Sequence, residues 1–135
     1  DFKKIPICIE GNKNINNQKL KKLVKIIGSK CYHFDSKQRL ALHVSAVFAC
    51  NFTNYLFSIA YDICAENKIP FEIFFPLIRE TIEKIEKNNP SKIQTGPGIR
   101  KDLNTIKKHL NFIKSKNSKK IYSILTEGII ANNGK

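Results

Sequence analysis

Three observations predict a mainly α protein, an all-helical bundle preceded by a short βαβ unit. Beyond Asp35 the apolar residues recur at helical spacing almost without interruption. Before it, two short apolar runs flank one helical pattern. Between Leu40 and Tyr61 lies the stretch LALHVSAVFACNFTNYLFSIAY. It has no Lys, Arg, Asp, Glu, Pro or Gly, in a chain that is 26% charged.

The first run, IPICIE at 5–10, stops at Gly11 and reads as a buried strand. From Asn14 to Gly28, Leu20, Leu23, Val24 and Ile27 mark one helical face, and Gly28 suits the C′ position. KCYHF at 30–34 reads as a second strand. Strand, helix and strand over so short a span make a βαβ unit, parallel and right-handed. Two strands do not make a stable sheet by themselves, so the unit is expected to end a larger sheet. Asp1 comes first and the chain has no Met, so the other strands are expected upstream. The expected domains are 1–35, the end of an α/β sheet, and 36–135, a helical domain.

Ser36 is the expected N-cap of the long apolar helix, which softens near Glu66 to Lys68. It is long enough to span a bilayer. However, His43, Asn51, Thr53, Asn54 and Ser58 make it too polar for a lipid-facing span. The expectation is a central helix buried on most sides. At about 100° per residue, Phe48, Phe52, Tyr55, Leu56, Ile59 and Ile63 share one side. Arg39, His43, Cys50 and Asn54 share the other, with Asn51 and Ser58 at its margin. Such a polar stripe either satisfies itself within the domain or faces a ligand crevice.

Lys68-Ile69-Pro70 makes a turn, after which Pro76 either kinks a helix or opens it. Leu77, Ile78, Ile82 and Ile85 form its inward stripe, with Glu83 and Lys87 as an outer ion pair. Thr95-Gly96-Pro97-Gly98 breaks the pattern. Asp102 then caps a helix carrying Leu103, Ile106, Leu110 and Ile113. Ser118 is the expected cap of a last helix, with Ile121, Ile124, Leu125 and Ile129 inside.

A net charge of +13 suggests nucleic acid, but the excess is 21 Lys against 3 Arg, beside 21 Ile and 14 Asn. Specific phosphate or base recognition favours Arg with interleaved aromatics. Lys19, Lys21, Lys22 and Lys25 read instead as a solvated helix face, and a nucleic-acid partner is not expected. Cys8, Cys31, Cys50 and Cys64 lie far apart with no CxxC, which fits reduced thiols in a cytoplasmic protein and no metal site. No membrane partner is expected either.

There is no GxGxxG, P-loop, GxSxG or HExxH. In a background that uses Lys for bare charge, Arg39, Arg79 and Arg100 point to bidentate contacts. The alternative is salt bridging within the fold, Arg79 with Glu83 or Arg100 with Asp102. Gln94, Thr95 and Gly96 form a polar turn that either closes over a ligand or rigidly joins two helices. His109 reads as a partly buried helix residue and not a ligand; His33 has no evident partner.

Several motifs occur in order: Arg39-x3-His43, Ala46-Val47-Phe48-x2-Asn51-Phe52, Pro76-Leu77-Ile78-x-Glu80-Thr81, Gln94-Thr95-Gly96-Pro97-x2-Arg100-x-Asp102, and His109-Leu110. Together they resemble the C-terminal domain of a Rossmann-like NAD(P)-dependent oxidoreductase family that carries a domain of unknown function. That family is related to phosphogluconate dehydrogenase and to pyrroline-carboxylate-reductase-like proteins. The resemblance covers nearly the whole chain. It implies that 1–35 is the βαβ remnant of a Rossmann-type sheet and 36–135 a substrate and dimerisation domain. It further implies an upstream Rossmann domain that binds NADP or NAD, a homodimer, and a small-molecule substrate of unassigned identity. The cofactor-binding glycine motif is not in this chain. Arg39, Asn54, Gln94, Thr95, Gly96 and Arg100 become cleft residues, with His43 and Asn51 the catalytic candidates.

One departure matters. Related hydroxyacid dehydrogenases carry a catalytic Lys four residues before the Asn, and Val47 stands there. His43, a turn earlier, is then the natural proton donor, since an imidazole changes charge near neutral pH. The alternative is a non-catalytic, nucleotide-responsive or assembly module on the same fold. A basic nucleic-acid-binding domain is the remaining alternative.

Overall fold

The computed structural model describes residues 2–11, 14–28 and 30–132. A single 3₁₀ turn at Phe2–Lys4 leads into β1 (Ile7–Ile9), α1 (Asn14–Ile27) and β2 (Cys31–His33). The strands are parallel, with Ile7, Cys8 and Ile9 opposite Cys31, Tyr32 and His33. This is the expected βαβ unit with shorter strands. Gly28 closes α1 at φ +79°, a conformation that its missing Cβ permits and that suits the C′ position. Ile9 of β1 and Val24 of α1 are buried. Leu23 and Ile27, expected beside Val24, are 56% and 43% exposed.

The rest is helical. A continuous helix over Ser36–Glu66 consists of α2 (Ser36–Ala46), a π segment (Val47–Phe52) and α3 (Thr53–Glu66). Its N-cap is Asp35, not Ser36. Gln38 N donates to Asp35 Oδ1 at 2.7 Å, and Asp35 N to Gln38 Oε1 at 3.0 Å, a complete capping box. The reciprocal pair satisfies two helix-end groups where the Ser36 hydroxyl would satisfy one. That hydroxyl donates instead to Glu10.

α4 (Phe75–Lys87) follows a 3₁₀ turn at Phe71–Phe74. Pro76 sits in its first turn, so it opens the helix rather than kinking it. The outer ion pair on α4 is Lys84 with Glu80 at 2.6 Å, three residues before the expected Glu83–Lys87 pair. α5 (Leu103–Phe112) is capped by Asp102, which accepts from Thr105 N at 3.0 Å. α6 (Lys116–Asn132) begins earlier than expected, and the Ser115 hydroxyl accepts from Ser118 N, so Ser115 holds the capping place.

The chain divides into two compact units, Asp1–Leu56 and Phe57–Lys135. Within the second, Phe71 meets the rings of Tyr61, Phe74 and Phe75 at centroid distances of 5.7 to 5.9 Å. Cys64 and Ile113 are buried there.

The expectation that the long helix is buried on most sides fails. Of its described residues only Cys64 is buried, while Phe48 is 65% and Tyr61 58% exposed. The helix is apolar over a wider arc than this chain can cover. It is also long and apolar enough, at mean hydropathy 1.3, to cross a membrane by length and composition alone. Leu77, Ile82, Ile85, Leu103, Ile124 and Leu125 are likewise exposed rather than inward.

Candidate functional site

In the first unit, the polar stripe lies on the long helix. Arg39 and His43 project from successive turns of α2, and Asn51 lies in the π segment. An i→i+5 segment takes up one extra residue without an extra turn, setting later residues back by about 100°. Asn51 therefore turns towards the line of Arg39 and His43, while Cys50 and Asn54 turn away from it. A regular helix would put Asn51 at the margin. The Thr53 hydroxyl donates to Phe48 O at 3.3 Å, satisfying one of the carbonyls that the wider winding displaces. Arg39, His43, Asn51 and Asn54 are all exposed.

Arg39 does not wait for a ligand. Its Nη1 donates to Glu10 Oε2 at 2.8 Å, and the other carboxylate oxygen, Oε1, accepts from the Ser36 hydroxyl at 2.6 Å. Glu10 follows the last residue of β1, so one carboxylate ties the end of the strand to the first turn of α2. These hydrogen bonds, Ser36's first and then Arg39's, hold the Glu10 carboxyl below its ordinary range. The sequence reading missed Glu10. The available signal was an acid at the carboxyl end of a strand, directly before Gly11.

In the second unit, Gln94, Thr95, Gly96 and Arg100 lie on the turn before α5. Gly96 has φ +107°, and Lys101, which closes the turn, has φ +52°. The turn is internally bonded, with Asp102 N donating to Pro97 O at 2.9 Å and Lys101 N to Gly98 O at 3.1 Å. Gln94 Nε2 donates to Thr95 O at 3.1 Å. A Cβ on buried Gly98 would stand 3.0 Å from Ile129 Cγ2, so the turn packs closely on α6. Thr105's backbone and hydroxyl bonds lower the Asp102 carboxyl, helped by the charges of Arg100 and Lys108. Arg100 thus supports the cap electrostatically. His109 is exposed rather than partly buried, and its Nδ1 lies 2.8 Å from the Tyr122 hydroxyl.

Neither group forms a dinucleotide cradle. Gly96-Pro97-Gly98 is an interhelical packing turn, and the chain has no glycine-rich turn after a strand. Among the described residues no cluster of His, Cys, Asp or Glu could hold a metal ion.

What these observations define is a mainly α domain entered through a parallel βαβ unit. The chain belongs to the DUF2520 family, a domain of unknown function, whose model matches residues 5–129. A crystal structure of the Bacteroides fragilis protein BF3122, described as a candidate NADP oxidoreductase, is similar at TM-score 0.90 and 36% identity. The match covers 97% of this chain and 51% of that one. Protein TM1727 of Thermotoga maritima shares the fold at TM-score 0.76 and 20% identity, over 98% of this chain and 54% of its own. The chain thus spans about half the length of either structure. No curated protein matches it.

Proposed function

We propose that the chain is the helical part of an NAD(P)-dependent oxidoreductase. It forms one wall of a cofactor and substrate cleft and a homodimer interface. The observation that carries this reading is the likeness, at 36% identity, to the B. fragilis protein described as an NADP oxidoreductase candidate. The cofactor, NADP or NAD, would be held by an upstream Rossmann domain, since this chain's sequence has no glycine-rich turn after a strand. When bound, it would supply hydride chemistry.

In this reading His43 delivers a proton to the reacting atom and Asn51, on the same line, orients the substrate by hydrogen bonding. Arg39, held by Glu10, fixes the start of that line. The family resemblance adds Asn54, set off that line by the π segment, and, in the second unit, Gln94, Thr95, Gly96 and Arg100 as cleft candidates. The apolar surface exposed at Phe48, Phe52 and Tyr55 supports the dimer, because such surface marks an interface. The protein is cytoplasmic, with neither membrane nor nucleic acid as partner.

A specific observation favours a second reading, a non-catalytic nucleotide-responsive module. Val47 occupies the place of the dehydrogenases' lysine, and Arg39 is already engaged by a carboxylate. NADPH binding by the full-length protein, compared with residues 1–135 alone, tests the first reading.

A further inference from the structure

We propose a small-anion site, of phosphate class, on the βαβ unit. A depression of about 360 Å³ is lined by Asn17, Gln18 and Lys21 of α1 and by His33. His33 is the last residue of β2 and lies opposite Ile9, the last residue of β1. The depression therefore sits at the carboxyl ends of both parallel strands, where the crevices of open α/β sheets take their ligands. Its lining is one ammonium, one imidazole and two amides, with no acid among the described residues that form it.

Lys21, His33 and Gln18 bring N–H donors to one small space, while Asn17 Nδ2 donates to Gly11 O at 3.3 Å and its buried Oδ1 has no donor among the described residues. An ammonium and an imidazole suit an oxyanion, and the amides can bond its remaining oxygens or an attached hydroxyl. A cation finds no charged ligand there, and an apolar group would bury these donors unpaired. The occupant is a phosphate group, free or terminal on a small molecule. The site is separate from the line of Arg39, His43 and Asn51, and it stands whether or not the oxidoreductase reading does.

The experiment is a titration of the full-length protein with inorganic phosphate at constant ionic strength. It follows the His33 imidazole resonance, assigned by its loss in His33→Gln. The expected result is a saturable shift with a midpoint on the order of millimolar, which Lys21→Ala raises roughly tenfold and Lys22→Ala leaves unchanged. Lys21→Gln, which keeps the stem, is expected to behave like Lys21→Ala. A shift that never saturates, or that chloride reproduces, overturns the proposal. So do equal midpoints in the Lys21 and Lys22 variants.

Discussion

Arg39 and Glu10, 29 positions apart, meet at 2.8 Å and fasten the end of β1 to the first turn of the long helix. The helix on which His43 and Asn51 lie thereby takes its starting position from the sheet. The sign of the pH dependence follows from the lowered Glu10 pKa. The pair's contribution is fully present above the unfolded carboxylate range and is lost as pH falls through the lower folded value. Melting curves from pH 7 to pH 3 should show Glu10→Gln melting below wild type at neutrality. That gap should close towards the acid end. A gap independent of pH would show that the charge of Glu10 is not what matters.

The Gly98 turn makes a steric prediction. Gly98→Ala should cost about 1–3 kcal/mol through overpacking, since the new Cβ meets Ile129 Cγ2 at 3.0 Å. Ile129→Ala removes that methyl, so the double variant should lose less than the sum of the single losses. Additive losses in denaturant unfolding would place the strain elsewhere.

These relationships differ in how far the sequence revealed them. Gly28 as C′ residue and Asp102 as a cap follow from chemistry confined to a few neighbouring residues. They read directly. The Arg39–Glu10 pair joins residues far apart in sequence, and no local pattern announces it. The π segment defeats periodicity in another way. A fixed step of about 100° presumes a regular helix and so places Asn51 at the margin. Burial along the long helix is not legible in the sequence, because periodicity reports which side is apolar, not what covers it. Phe48 and Phe52 do make their edge-to-face contact at 5.1 Å, yet both remain exposed.

That exposed surface leads to a prediction of association. Residues 1–135 should self-associate at tens of micromolar, in the range of moderate homodimer affinity. Phe48→Lys should weaken the association by placing a charge in the apolar face. Light scattering is the measurement, and a clean monomer at that concentration would count against the dimer.

His43 separates the two functional readings. It is exposed, so replacing it should leave the fold intact. In the full-length protein His43→Asn should keep the wild-type melting temperature within about a degree, as surface substitutions usually do, while abolishing NADPH-dependent turnover. Turnover equal to wild type would remove His43 from the chemistry and favour the non-catalytic module.

The most direct test of the account is calorimetric titration of NADPH into two proteins side by side, the full-length protein and residues 1–135. The full-length protein should bind with a dissociation constant on the order of micromolar. Residues 1–135 should show no saturable heat, because they lack a glycine-rich turn at a helix N-terminus to hold the pyrophosphate. Submicromolar binding by residues 1–135, or no binding by the full-length protein, would contradict it.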